Sequence, residues 1–111
     1  MNALYNLALI YKNGNGVAQD YAEAAKLWHI AAKQGMMLAQ KILGYMFELG
    51  KGVLQDNIRA HIWYNIASTN GHKKALEWRD ETAATMTSAE ILKAQKMALK
   101  CMNSNYLNCE W

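Results

Sequence analysis

GNGVAQD occupies residues 14–20, and GKGVLQD occupies residues 50–56, the same motif 36 positions further along the chain. The offset extends well beyond this motif and needs no insertion. It pairs Ala3 with Ala39, Ala39 with Ala75, Leu7 with Leu43, Ala24 with Ala60, Ala31 with Ala67 and Gly35 with Gly71. Chance would not align so many small residues at a single offset, so we interpret the chain as tandem structural repeats.

Each repeat predicts two helices joined by a glycine-containing loop. In repeat 1, apolar residues recur at helical spacing until Gly14, which ends the helix in a left-handed conformation. Asp20 then caps a second helix, and Glu23 completes a capping box. Repeat 2 follows the same plan, with a cap at Asp56 and a stop at Gly71. The inward stripes are predicted to include Ala3, Leu7, Ala8 and Tyr11 on the first helix, and Ala24, Leu27, Trp28 and Ala31 on the second.

The third unit departs from this plan. Ala75 keeps the register, but no Gly-x-Gly loop follows it; instead Thr87 and Glu90 form a capping box that opens a helix to about Met102. Lysines on its outer face are typical of a terminal cap. We therefore expect one domain over 1–102, comprising repeat 1 at about 1–36, repeat 2 at about 37–72, a capping hairpin at about 73–102, and then a tail over 103–111.

Composition supports an all-helical globular protein. The 111 residues include no proline, 52% are hydrophobic, and the formal net charge is +3. This composition excludes a disordered chain, and two cysteines are too few for a disulfide scaffold. No apolar run approaches the roughly 20 residues of a membrane-spanning helix. The small, scattered charge excess argues against a nucleic-acid partner.

The repeated residues resemble a known family. The pattern Ala3-x-Tyr5-x-Leu7-Ala8-x-x-Tyr11-x-x-Gly14-x-Gly16-Val17-x-x-Asp20, continued by Ala24-x-x-x-Trp28-x-x-Ala31-Ala32-x-x-Gly35, is similar to the Sel1-like repeat, a relative of the tetratricopeptide repeat. A second copy runs from Ala39 to Gly71, and the resemblance covers roughly residues 1–102. It implies an all-α, right-handed solenoid of helical hairpins, of a bacterial type, that binds proteins or peptides.

By similarity to tetratricopeptide domains, the first helix of each pair lines a concave groove. The residues expected there are Tyr5, Leu9, Lys12, Asn13, Lys41, Tyr45, Glu48, Leu49, Glu77 and Glu81. Equivalent groove positions have different residue types in the two repeats, whereas the small and apolar residues of the repeat pattern are the same. This is the pattern of a scaffold that presents a specific surface, so we predict a protein or peptide ligand.

No residue pattern points to catalysis or to a cofactor. His29, His61 and His72 occupy different repeat positions without ligands at metal-binding spacing, so no metal is expected. No nucleophile elbow or catalytic triad is visible, and we predict that the protein is not an enzyme. Cys101 and Cys109 leave two alternatives open: a disulfide that folds the tail back, or a buried Cys101 with a free Cys109.

Two other functions stay open. The cysteine-rich, secreted branch of the family implies an enzyme or a small-ligand binder, although the cysteine pairs of that branch are missing here. A self-associating fragment of a longer array is the other alternative, since Leu4, Leu9 and Ile10 form an apolar N-terminal edge with no polar cap. No signal peptide is recognisable, so we expect a cytoplasmic protein.

Overall fold

A computed structural model describes residues 2–107 and residue 109; Met1 and residues 108, 110 and 111 of the predicted tail lie outside the described residues. Regular secondary structure in the described part of the chain is helical throughout, with no strand. The helices are α1 (Asn2–Asn13), α2 (Tyr21–Lys33), α3 (Met37–Leu49), α4 (Asn57–Thr69), α5 (Lys73–Ala83) and α6 (Ser88–Asn103). The predicted all-α class is confirmed.

The helices form an elongated stack. Each helix from α1 to α4 packs against the next one in the chain, and α6 lies against α4. The stack measures 44 × 27 × 24 Å along its principal axes. Because α4 contacts α3, α5 and α6, it is buried on nearly all sides, and it contributes the fully buried Trp63 and Tyr64. This arrangement is the predicted solenoid of stacked helix pairs.

Helix ends in the two repeats follow the predicted chemistry. Gly50 ends α3 in a left-handed conformation with φ of 72°. The carboxylate of Asp20 accepts the backbone N–H of Glu23 at 3.0 Å, and Asp56 does the same for Arg59 at 3.1 Å. These two aspartates satisfy backbone donors that would otherwise have no partner at the start of α2 and α4.

The capping box predicted at the start of α2 is wrong in one respect. A complete box needs the Glu23 side chain to accept the backbone N–H of Asp20. That N–H instead donates to the carbonyl oxygen of Tyr11 at 2.8 Å, which ties the loop to α1. The box at Thr87 and Glu90 is complete, with both bonds formed.

The first apolar stripe is partly wrong as well. Leu7 is 41% exposed, whereas its equivalent in repeat 2, Leu43, is 1% exposed. The reason is that α2 covers Leu43, but no described helix precedes α1. Leu4 and Leu9, which were expected at an open edge, are instead partly buried and pack against the core.

Cys101 and Cys109 form a disulfide, and both residues are fully buried. The bond turns the chain back after α6, and the turn passes through Asn105 and Tyr106, both with positive φ. The alternative of a free Cys109 is therefore wrong.

Tyr106 joins this turn to the two repeats through a chain of hydrogen bonds. Its hydroxyl accepts the side-chain amide of Asn70 at 2.9 Å, and the same amide donates to Oε1 of Gln40 at 2.8 Å. Nε2 of the fully buried Gln40 donates to the carbonyl of Ala32 at 3.0 Å. The C-terminal turn is thus connected to the ends of α2 and α4 and to the start of α3.

Candidate protein-binding groove

The first helices of the three units present equivalent positions side by side. Leu9, Tyr45 and Glu81 are 36 positions apart on α1, α3 and α5, and all three line the same cavity. Together with two of the second helices they enclose a cavity of about 590 Å³, which we call the groove. Its lining residues are Tyr5, Leu9, Lys12, Tyr21, Trp28, Lys41, Ile42, Tyr45, Met46, Glu48, Lys51, Tyr64, Trp78 and Glu81.

Seven of the ten residues predicted for this surface line the groove: Tyr5, Leu9, Lys12, Lys41, Tyr45, Glu48 and Glu81. The other three, Asn13, Leu49 and Glu77, are exposed but do not line it. Asn13 and Leu49 are equivalent positions, each one residue beyond a groove residue, and one residue turns a side chain by about 100° around a helix. Whether the groove binds a ligand stays a prediction.

Other residues of the groove were missed. Trp28 was predicted only as part of the inward stripe of its helix, and Tyr64 was not assigned to the groove, yet both line it. Ile42 and Trp78 occupy equivalent positions of α3 and α5, a position that was not assigned to the groove in either unit. Lys51 lies in the loop after α3, where the repeat pattern gives no direction for a side chain.

Aromatic rings form the floor of the groove. The rings of Tyr5 and Trp28 have centroids 6.3 Å apart, and those of Tyr64 and Trp78 are 5.8 Å apart. Tyr45 stands above this floor and is 52% exposed. Trp28 and Tyr64 are almost fully buried. The accessible aromatic area therefore belongs to Tyr45 and to the partly buried Tyr5 and Trp78. Accessible rings of this kind offer apolar area at a low cost in side-chain entropy.

One hydrogen bond joins two of the residues that line the groove. The hydroxyl of Tyr64 donates to Oε1 of Glu48 at 2.6 Å. Burial raises the pKa of Tyr64 well above its ordinary value, and the Glu48 carboxylate raises it further. Tyr64 therefore stays protonated and remains a donor to Glu48 throughout the physiological pH range.

The charges of the groove are unevenly distributed. Lys12, Lys41 and Lys51 lie on repeats 1 and 2, and Lys51 is placed over the ring of Tyr21, with Nζ 5.4 Å from its centroid. Among the described residues, none of these three lysines forms an ion pair. On the third unit, the groove has the carboxylate of Glu81 instead.

The three histidines have structural roles in this fold. Nδ1 of His72 accepts the backbone N–H of Ala75 at 3.1 Å and so caps α5. Burial lowers the pKa of His72, and the positive charge of Lys41 lowers it further. His61 is buried in α4, where desolvation is also the main cause of a lowered pKa. His29 packs edge-on against Trp63 with ring centroids 5.7 Å apart.

Metal binding, membrane spanning and further cavities are the other functional questions for the described part of the chain. Within residues 2–107 and 109, no group of three or more His, Cys, Asp or Glu residues is placed to hold a metal ion. The helices in these ranges are too short or too polar for any of them to traverse a lipid bilayer. A second, mostly apolar cavity of about 610 Å³ lies where α2 meets α3, with Ile30, Leu43 and Phe47 among its lining residues.

Stacked helix pairs with a shared groove define a helical repeat protein of the solenoid class. The family model of the Sel1 repeat matches residues 2–36 and 38–72. The chain therefore belongs to the Sel1 repeat family, whose repeats form a protein–protein interaction module.

Two curated relatives come from fission yeast, Schizosaccharomyces pombe. Chitin synthase regulatory factor 3 is 41% identical over 69 residues, which is 61% of this chain and 7% of the relative. Chitin synthase regulatory factor 2 is 34% identical over 83 residues, which is 69% of this chain and 16% of the relative. The chain thus spans only a small part of the length of the curated relatives it matches.

Two solved structures share the fold. A protective antigen of uropathogenic Escherichia coli strains that displays an SLR fold matches with a TM-score of 0.86 and 29% identity, over 94% of this chain and 23% of that one. A Sel1 repeat protein from Oxalobacter formigenes matches with a TM-score of 0.69 and 32% identity, over 72% of this chain and 60% of that one. The first match includes nearly the whole stack, so it extends beyond the two repeats found by the family model.

Proposed function

We propose that the protein binds a segment of another protein in the groove. The observation that carries this proposal is the exposed ring of Tyr45, which lines an aromatic cavity together with Leu9 and Glu81, the residues at the equivalent positions of α1 and α5. A rigid surface of this kind loses little conformational entropy when it binds, because its helices are already in place. Its modest size favours a transient complex.

A capture experiment with matched variants tests the groove. The wild-type protein and Tyr5→Ala/Tyr45→Ala are used as baits, and the captured proteins are then purified and titrated individually by calorimetry. Leu92→Ala/Leu99→Ala is the control, because it removes two exposed apolar side chains from α6, outside the groove. We expect binding to be lost only in the tyrosine variant. Equal binding by all three proteins would rule out the groove.

We propose that the module acts by binding and has no catalytic activity of its own. The two fission yeast relatives are named as regulatory factors, which supports an adaptor role. The alternative of an enzyme or small-ligand binder from the cysteine-rich branch has less support, since the disulfide joins α6 to the C-terminal turn and neither repeat contains a cysteine. A catalytic activity that stays with the protein through purification, and that is lost when groove residues are substituted, would favour the enzyme.

Self-association through α1 is a second candidate, and one comparison favours it. Leu7 is exposed at the position where Leu43 is covered by α2. A second copy that placed a helix on α1 would restore the cover that repeat 2 already has. Light scattering across a concentration series tests this candidate: we expect a dimer that Leu7→Glu abolishes and Leu99→Glu leaves intact. A monomer at all concentrations would exclude it.

We propose an oxidising compartment as the location, in place of the cytoplasm expected from the sequence. The Cys101–Cys109 disulfide supports this proposal, because such bonds persist mainly outside reducing compartments. Alkylation of free thiols before cell lysis, followed by mass measurement, tests it. Two alkylated cysteines in the protein would contradict the proposal.

A further inference from the structure

We infer that the groove selects an acidic segment, one that carries carboxylates close to an apolar side chain. This inference rests on the proposed function and adds the chemistry of the partner. It follows from how charge and apolar area are divided within the groove.

The ammonium groups are available to a ligand. Lys12, Lys41 and Lys51 line the groove, and none of them is paired with a carboxylate among the described residues. Because Lys51 lies over the ring of Tyr21, one of these charges is held next to an aromatic side chain of the groove. An ammonium group beside low-dielectric rings attracts an opposite charge more strongly than one in open water does.

The carboxylates on the same part of the groove are less available. Glu48 already accepts the hydroxyl of Tyr64 at 2.6 Å, so one of its oxygens is occupied. The remaining groove carboxylate, Glu81, lies on α5. The part formed by repeats 1 and 2 therefore has three cations and one engaged anion, a balance that favours acidic side chains in the ligand.

The apolar residues of the groove provide a site for the apolar side chain of the ligand. Leu9, Ile42 and Trp78 line the same groove as the three lysines and the exposed Tyr45. A volume of about 590 Å³ is within the range of sites that enclose a small ligand, which corresponds to a few side chains of a peptide. Charge then provides selectivity and faster association, while the buried apolar side chain provides most of the affinity.

Selection from a library of random 12-residue peptides tests the inference without assuming a sequence. The folded wild-type chain is the target, and peptides that also bind Tyr5→Ala/Tyr45→Ala are removed. We expect an excess of Asp and Glu around one aromatic or aliphatic residue. Affinity for a selected peptide should fall at least about fivefold in Lys41→Glu and with added salt.

The control for charge is Lys93→Glu, which makes the same change in net charge on the exposed face of α6. We expect it to bind the selected peptide as the wild type does. Equal losses in both variants would overturn the inference, because they would report net charge alone. Displacement of the peptide by an equal concentration of a 20-nucleotide oligothymidylate would overturn it as well, because it would show a general anion site.

The outcomes separate this inference from the function on which it rests. Selected peptides that need the two tyrosines but carry no acidic excess would overturn the inference and leave the groove as a peptide site. If no enriched peptide depends on Tyr5 and Tyr45, the groove itself is excluded and both proposals fail.

Discussion

Gly44 of α3 lies directly against the ring of Tyr64 of α4. A Cβ atom built on Gly44 would be 2.7 Å from Cδ1 and 2.8 Å from Cε1 of that ring, closer than any ordinary contact. The ring is only 1% exposed, and its hydroxyl is bound to Glu48. The absence of a side chain at Gly44 therefore sets how closely the two helices of repeat 2 approach.

We expect Gly44→Ala to destabilise the protein in spite of alanine's better helix propensity. The propensity gain is about 0.5–1 kcal/mol, whereas overpacking a buried contact costs about 1–3 kcal/mol. Denaturant unfolding should show a net loss of about 1–2 kcal/mol in the free energy of unfolding. The same change made in a Tyr64→Leu background should cost less, and an equal cost in both backgrounds would show that the ring is not the obstacle.

This contact also shows what the repeat pattern predicts and what it leaves open. The 36-residue offset aligns Gly44 with Ala8, which marks this position of the first helix as small in both repeats. The offset does not show that the ring of Tyr64 is what lies against Gly44. Periodicity assigns a residue to a face of a helix, but the residue it meets depends on how the two helices cross.

The residues of the groove also divide into those that the repeat offset predicts and those that it does not. Lys41 and Tyr45 were predicted because they lie on the first helices, where the offset places equivalent positions side by side. Lys51 could not be found in this way, because it lies in the loop after α3. A loop position has no helical periodicity, so the side chain of Lys51 is directed by contacts that form only in the folded chain.

His72 leads to a pH-dependent prediction. Its Nδ1 accepts a hydrogen bond at the start of α5, and a protonated imidazole cannot accept there. The pKa of His72 is lowered in the folded state, and so is that of His61, so the unfolded chain binds protons more readily. Stability from these groups is complete above the unfolded pKa of about 6.5 and declines as the pH falls below it.

Unfolding measured at pH 7.5 and at pH 5.5 checks this prediction. His72→Ser keeps a side chain that caps well and does not titrate, so it should reduce the loss of stability between the two pH values. His29→Ser serves as a control for the loss of an imidazole elsewhere. A pH dependence that is identical in wild type and His72→Ser would contradict the role of the cap.

Reduction of the Cys101–Cys109 bond should weaken the fold. The bond closes a short loop across a sequence separation of 8 residues, for which the chain-entropy model gives a stabilisation of about 2–3 kcal/mol. Chemical unfolding with and without dithiothreitol should show this difference in wild type. The double variant Cys101→Ala/Cys109→Ala should not respond to the reductant, and a wild type that is equally insensitive would contradict the prediction.

Gly16 and Gly52 are equivalent loop positions whose surroundings differ, and they form a matched pair. Both have positive φ, 83° at Gly16 and 74° at Gly52. A Cβ on Gly16 would meet no atom within 4 Å, whereas a Cβ on Gly52 would be 2.2 Å from the carbonyl oxygen of Tyr21. The difference arises because α2 precedes the second loop in the stack, while no described helix occupies that place before the first.

We expect Gly16→Ala to cost about 1–2 kcal/mol, the price of a left-handed conformation for an alanine. Gly52→Ala carries the same backbone cost, and the contact with Tyr21 adds about 1–3 kcal/mol more. Unfolding both variants in denaturant isolates the added cost, since the local sequence and the backbone angles are nearly the same. If both variants lose about 1–2 kcal/mol of unfolding free energy, the loop of repeat 2 does not press on α2. If Gly16→Ala loses more than that, another molecule covers the face of α1 in solution, as the self-associated form requires.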